Sequence, residues 1–396
     1  MKDTGHPPHS VRGHDRLGDA IALAVVVVIL GALAASVLTF RDHYEIGGHQ
    51  WNTGDWLINA DEVHVRRGLF GSGVLRITDA LGISPVLGVV ALQSILCAII
   101  ALGACFAILR GPARRLIALL ILSPGFTLIF LAGDPSGAAR KEILTFAAMS
   151  ILLFTNGKRE RDIPVVTGAT VLFAIGVTGH IANAMMTPMY LFMAWTALGR
   201  PELRRGFGAV CALMCFWAAF NTWYPIYFSD IENWQLVCEP LVARGLDPQV
   251  CQRAVFVTGE RAADAVVFVA KHAYGDGDGL WHLIIYPALV VPILYLVGRT
   301  DGLADIKWPF ILSFLPILPL YTVGFDWGRQ TVMHITPMIL LSVLMLSRGQ
   351  IRQQKQVSLI AAGVIAVSGL IWVPRHTFGI EWGKPLQIVL SALGVI

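Results

Sequence analysis

What most limits how this chain can fold is the recurrence of apolar runs close to the length a bilayer core demands. A transmembrane helix takes about 20 apolar residues. The run over 17–40 meets that length with Asp19 as its single charge. Comparable runs follow at 83–109, 116–132, 143–154, 163–177, a sixth ending at 198, then 207–220, 282–297, 308–323, 331–346 and 357–373. Composition points the same way. Of 396 residues, 55% are hydrophobic and 14% charged, with mean hydropathy +0.65, where a soluble domain carries roughly 25% charged residues. The short alternating segments of a transmembrane barrel are absent. The expected fold class is therefore all-α, a polytopic integral membrane protein with about eleven transmembrane helices. Residues 1–16 are polar and read as a cytoplasmic tail, with 17–396 as a single transmembrane domain. The first run lacks a small-residue cleavage site, so it reads as a retained helix. The last run, 386–396, is too short to span.

Orientation follows from the basic residues. The tail carries Lys2, Arg12 and Arg16, and the loops at 110–115, 156–162, 199–205, 298–307 and 347–355 carry Lys and Arg. Strict alternation of the helices places all of these on the tail's side, the cytoplasmic one. The net charge of +4 sits mainly in these loops, so it speaks of membrane orientation and not of nucleic acid. Two longer segments then fall outside: an interfacial stretch after the first helix, 41–82, and a cap, 221–281.

The outer segments hold residues a mere connector does not need. Ionisable groups at a membrane boundary cost a few kcal/mol unless paired or hydrated. Their clustering in several connectors implies a shared polar site. Residues 51–76 pack Asp55, Asp61, Glu62, His64, Arg66, Arg67 and Arg76 between Trp51, Trp56, Leu69 and Phe70. That mixture suits a segment lying at the water–lipid interface, though a solvated connector would look similar. In the turn G-D-P-S-G-A-A-R-K-E, 133–142, Arg140 and Lys141 start the next helix, where cations oppose its dipole. A phosphate ligand would relieve this, as would local pairs such as Arg140–Glu142 or Lys141–Asp134. In G-F-D-W-G-R-Q, 324–330, Asp326 and Arg329 flank Trp327. That arrangement suits a sugar ring stacked on the indole, or simply an interfacial tryptophan with a local ion pair. His180 and Asn183 share another outer turn. His334 reads as facing the bundle or as a hydrogen-bonded core histidine.

The cap reads as helical over 240–253 and 261–274, joined to the next span by G-D-G-D-G at 275–279, which lacks the ligands of a calcium loop. Cys97, Cys105, Cys211 and Cys215 sit in apolar helices as packing residues. The spacing of Cys238 and Cys251, both in the outer loop, permits a disulfide in an oxidising compartment. No cysteine or histidine pattern suggests a metal.

The architecture, together with R-R-G-L-F-G (66–71), R-K-E (140–142) and D-W-G-R (326–329), resembles the GT-C-type glycosyltransferases and membrane proteins of bacterial surface-polysaccharide loci. The resemblance implies a multi-pass protein of the bacterial inner membrane that transfers a sugar from a polyprenyl-phosphate-linked donor to a glycan or lipid acceptor at the outer face. Its partners would be that donor, the acceptor and membrane lipid, with no nucleic acid and no cofactor. By the same resemblance, Arg66, Arg67, Arg140, Lys141 and Arg329 stabilise the leaving phosphate. Asp55, with a modestly raised pKa, is the first choice to deprotonate the acceptor hydroxyl, and Asp134 the second. Trp51, Trp56, Asp326, Trp327 and His180 hold the sugars. Asp61 and Glu62 are expected to pair with Arg66 and Arg67 one helical turn away. The first outer loop has no Asp-x-Asp, since Asp55 is followed by Trp56 and Leu57, so cations stand in place of a metal. A repeat-unit polymerase with arginine-centred catalysis fits equally. A transporter or flippase calls for charges deep within broken helices near the midplane.

Overall fold

The computed structural model describes residues 16–157, 160–199, 206–230, 232–275 and 278–393. The tail at 1–15, Lys158 and Arg159, residues 200–205 and Asp276 of the glycine-rich linker lie outside the described residues.

The chain is helical almost throughout. α1 (Arg16–Glu45) packs along α4 (Pro85–Arg110), and between them the chain makes one turn of helix, α2 (Gly54–Leu57), and the amphipathic α3 (Gly68–Leu81). The expected third span is not one helix. α5 (Arg114–Ile121) stops before Ser123-Pro124-Gly125, and the chain resumes as α6 (Thr127–Gly133) and the short α7 (Pro135–Ala138). Proline removes a backbone donor and pushes its predecessor out of helical geometry, so a helix ends there. α8 (Glu142–Ile151), α9 (Asp162–Gly179), α10 (Ile181–Met185) and α11 (Thr187–Leu198) follow, and then α12 (Phe207–Phe228). The cap holds α13 (Glu239–Ala243) and α14 (Ala262–Val269) among short 3-10 turns, with a π-helical turn (Ala270–Gly275) continuing α14. It is less helical over 240–253 than expected. α15 (His282–Val297) leads to α16 (Leu303–Phe314), which ends short of Pro316 and Pro319, leaving only the turn α17 (Leu320–Val323). α18 (Trp327–Ser347) and α19 (Leu359–Ile371) follow. A two-stranded antiparallel hairpin comes next, β1 (Trp372–Pro374) and β2 (Ile380–Trp382), and then α20 (Lys384–Ala392).

In place of about eleven comparable spans, six helices among the described residues are long and apolar enough to cross a bilayer: Arg16–Glu45, Pro85–Arg110, Asp162–Gly179, Phe207–Pro225, Gly279–Val297 and Trp327–Ser347. Large apolar side chains stand exposed on the outer faces of several helices, Leu23 and Val27 on α1, Leu213 and Phe216 on α12, Leu283 and Ile284 on α15, Ile360 on α19. So broad an apolar girdle is a lipid-facing surface. α18 is the hub. It packs on α4, α5, α8, α11, α15 and α16, and from Gln330 to Leu346 every residue is buried.

Contacts sort the loops into two ends. At one, Arg114 pairs with Asp19 at 2.9 Å. There too Arg348 donates to the carbonyls of Thr196 and Ala197 and to the Thr155 hydroxyl, and Asp301 accepts from the Arg352 amide. At the other end the loop after α1, the turn at 134–142, the turn at His180, the cap, the start of α18 and the β-hairpin come together.

Candidate functional site

The stretch after α1 does not lie on the surface. Residues 52–59 are buried throughout, and buried amides hold them down. Asn52 donates to the Pro135 carbonyl at 2.8 Å and the Trp56 indole to that of Ala139 at 3.0 Å, while Gln93 of α4 reaches the carbonyls of both Asn52 and Ala139 at 2.9 Å. Asn59 donates to Val237 of the cap. Buried backbone needs such partners, and supplying them brings the first loop against the 134–142 turn. Arg67 then starts α3 with φ +69°, the single non-glycine residue in the left-handed region among those described. That conformation costs roughly 1–2 kcal/mol, a strain that surrounding packing must hold in place.

Three segments, the loop after α1, the turn at 140–142 and the start of α18, thereby place charged side chains into one buried cluster. Asp55, Lys141 and Glu142 are at most 2% exposed. Arg67 lies 3.6 Å from Asp55, Arg140 lies 3.3 Å from Asp326, and Arg329 contacts Asp326 at 2.8 Å and Glu142 at 3.8 Å. Lys141 Nζ donates to the Arg67 carbonyl at 3.5 Å and faces the Phe70 ring. The Arg140 guanidinium stacks on Trp51, 4.5 Å from the ring centre. Four cations, Arg67, Arg140, Lys141 and Arg329, thus meet three carboxylates, Asp55, Glu142 and Asp326. Satisfaction is incomplete. Both carboxylate oxygens of Asp55 and of Glu142 accept no hydrogen bond, and Nε of Arg67, Arg140 and Arg329 donates none. Buried charges are normally hydrogen-bonded as well as paired, so these atoms point to a polar occupant.

The electrostatics follow from burial set against neighbours. Burial raises the Asp55 carboxyl, but Lys141, Arg67, Arg140 and Arg329 together hold it below its usual range. The expected modest rise is therefore reversed, because the cations surround the acid. Asp326 is held low in the same way, by Arg329 and Arg140 against burial. Burial brings Lys141 down to about 8 and Arg67 to about 10, partly offset in each case by Asp55. Burial and then the cations Arg67, Arg329, Lys141 and Arg140 keep His180 neutral. His180 Nδ1 lies 3.8 Å from Glu142 but accepts from the Ala182 amide. The proton therefore sits on Nε2, and the contact is not an ion pair.

Other expected residues are placed elsewhere. Arg66 turns away to the cap and donates to the carbonyls of Val257 and Glu260. It does not pair with Asp61 or Glu62, which are exposed. Trp56 is fully buried against Phe70 with its indole donated, leaving no face for a sugar. Trp327 packs against His282 and Phe378 and donates to the Tyr321 carbonyl, in a separate aromatic cluster. Neither local pair proposed for the 133–142 turn forms, since Arg140 reaches Asp326 and Lys141 reaches the Arg67 carbonyl. Asp134 stands outside the cation cluster and accepts from His376. His334 is a core histidine bonded to Ser313. Cys238 and Cys251 are joined, their Cα atoms 6.1 Å apart.

Arg67 and His180 also line a cavity of about 290 Å³ between α9, α12 and the cap. Phe220, Tyr224 and Pro225 give it an apolar wall, and Arg66 and Arg261 give it charge. Among the described residues no three of His, Cys, Asp and Glu come together to hold a metal ion.

Two residues were not among the expected site residues. Glu142 reads in sequence as a local partner for its neighbours, and only the fold carries Arg329 to it. His376 lies in a connector, Arg375-His376-Thr377, with nothing in its composition to mark it. No protein-family model matches the chain, and no curated protein or solved structure is significantly similar to it.

Proposed function

We propose that this protein is a membrane glycosyltransferase that takes a sugar from a polyprenyl-phosphate-linked donor at the outer face of a bacterial inner membrane. One observation supports this above the rest: three distant segments converge on a buried, incompletely hydrogen-bonded cluster with one more cation than carboxylate, beside an apolar-walled cavity at one end of a membrane bundle. An excess of buried, pre-positioned cations suits a phosphate that gains charge as it leaves. The cavity suits its isoprenoid neighbour, with Phe220 and Tyr224 toward the chain and Arg67 toward the phosphate. Asp55, Glu142 and Asp326 hold the cations apart and aimed. The end bearing the cap is the outer one, because the opposite end gathers the basic loops.

The test is turnover by the purified protein in lipid nanodiscs, supplied with polyprenyl-phosphate-linked sugars and glycan acceptors and read as release of polyprenyl phosphate. Arg140→Ala and Arg329→Ala are each expected to lower release at least ~100-fold, the scale of one lost transition-state contact, while the protein still accumulates. Arg→Lys at either position should recover only part of the rate, since lysine lacks the fork. Full activity in either alanine variant removes that residue from the site. Absence of release with every donor, alongside movement of a lipid-linked sugar across vesicles, replaces transfer by transport.

A further inference from the structure

The connector of the β-hairpin does something a turn does not require. Residues 375–377 lie on the first turn of α18: the amides of Gly328 and Arg329 donate to the carbonyls of Thr377 and His376, at 3.0 and 3.2 Å. These would otherwise be unpaired donors of a helix start. The close approach depends on two glycines. A Cβ on Gly328 would fall 1.7 Å from the Arg375 carbonyl, and one on Gly137 would fall 1.9 Å from the His376 Cβ. His376 is thereby wedged between the start of α18 and α7. There its Nδ1 meets Asp134 Oδ2 at 2.7 Å, and the same oxygen accepts the His376 amide at 2.6 Å. Asp134 is buried and also accepts from Ser136 and the Gly137 amide through Oδ1.

The roles of the ring nitrogens follow. An ionised carboxylate only accepts, so the Nδ1 facing it carries the proton and Nε2 carries the lone pair. Burial raises Asp134, but its bonds from His376 and Ser136 hold it below its usual range, so it is ionised when it fixes this tautomer. His376 Nε2 makes no hydrogen bond among the described residues, and the side chain is one-fifth exposed. The His376 carbonyl accepts the amide of Arg329, whose guanidinium meets Asp326, the carboxylate shared with Arg140. The ring is therefore beside the cation cluster while its own orienting partner is not part of it. Asp55, the residue the sequence favours as base, is ringed by cations and is the poorer proton acceptor.

We infer that His376, oriented by Asp134, is the general base that activates the acceptor of the proposed transfer. The inference rests on the transferase reading. The acceptor hydroxyl loses its proton to His376 Nε2 as its oxygen bonds to the anomeric carbon. The bond from that carbon to the phosphate oxygen breaks, and the electron pair leaves with the polyprenyl phosphate, held by Arg140 and Arg329. The imidazolium then returns its proton to water. Asp134 is a positioning residue in this scheme.

The experiment uses the full chain in nanodiscs, with donor turnover and binding of polyprenyl phosphate measured separately. His376→Ala is expected to lose at least ~100-fold in kcat, to bind polyprenyl phosphate within twofold of wild type, and to regain part of its rate with added imidazole. His376→Gln keeps a donor toward Asp134 but has no base, so it is expected to be equally slow. It also serves if the alanine variant does not accumulate. Asp134→Asn should lower kcat in the wild-type background yet cost nothing further on His376→Ala, the non-additivity of groups acting as one unit. Wild-type kcat in His376→Gln, or additive losses with no imidazole rescue, overturns the assignment and leaves the transferase reading standing. A wild-type protein that turns over no lipid-linked sugar overturns both.

Discussion

Lys141 shows how single charges are set in this site. Its ammonium is fully buried and brought down to about 8 chiefly by that burial. The shift from 10.5 corresponds to about 3 kcal/mol against the charged form in the fold. The unfolded chain binds more protons between pH 8 and 10.5, so this group's penalty is complete below about pH 8 and fades as the pH rises. Two outcomes follow. Lys141→Met should raise the melting temperature in detergent at pH 7, because the remaining three cations then match three carboxylates. Affinity of the wild type for polyprenyl phosphate should fall as pH climbs through about 8, and in Lys141→Met the affinity should be weaker and flat over that range. The phosphate is itself ionised throughout, its second pKa being about 6. A lower melting temperature in the variant would show that Asp55 needs Lys141 more than the cluster needs relief. Much at this scale was legible in the sequence. Arg67, Arg140, Lys141, Asp326 and Arg329 stand out as charges beside apolar runs. What they pair with was not legible, because local spacing suggests Arg140–Glu142 while the partner, Asp326, is nearly two hundred positions away.

At the scale of elements, length was legible and interruption less so. A run of apolar residues reads as one helix, yet 116–132 and 308–323 are each broken at prolines, the first of them where Gly125 packs on Ile335 and Thr336 in the middle of α18. The hairpin was missed for a different reason: strands of three residues leave no room for alternation to show. Its contact with α18 makes the clearest prediction here. Gly328→Ala should push residues 375–377 off the helix start, costing about 1–3 kcal/mol as overpacking does, and should abolish turnover by drawing His376 from Asp134. Gly363→Ala is the control. It lies on α19 with open space around it, so alanine should leave stability unchanged or raise it by a few tenths of a kcal/mol. Thermal unfolding of the two variants in the same detergent distinguishes them. Equal stability and full activity in Gly328→Ala would mean that the hairpin is not tied to the site.

For the whole molecule, the alternation of basic and non-basic loops along the sequence coincides with a physical division. Arg348 ties the loops at 155 and 196–197 together, Asp301 meets Arg352, and Arg114 meets Asp19 at the start of α1, and none of these contacts involves the cluster end. A bundle could show such a division in either orientation, so charge has to decide. Lys and Arg gather at the first end, with Arg110, Arg114, Arg115, Arg161, Arg348, Arg352 and Lys355, and such loops are retained on the cytoplasmic side. The cap at the other end holds the Cys238–Cys251 bond, and disulfides persist outside the reducing cytosol. Two independent properties, charge and redox chemistry, therefore favour the same orientation. The prediction uses a chain with Cys97, Cys105, Cys211 and Cys215 replaced and the disulfide kept. A single cysteine is returned at exposed Gln249 in the cap or at exposed Gln356 beyond α18. A membrane-impermeant maleimide should label Gln249→Cys in intact cells, and Gln356→Cys only after permeabilisation. The reverse pattern would turn the bundle over, set the cation cluster against the cytosol, and leave a lipid-linked donor presented at the outer face with no site to meet it.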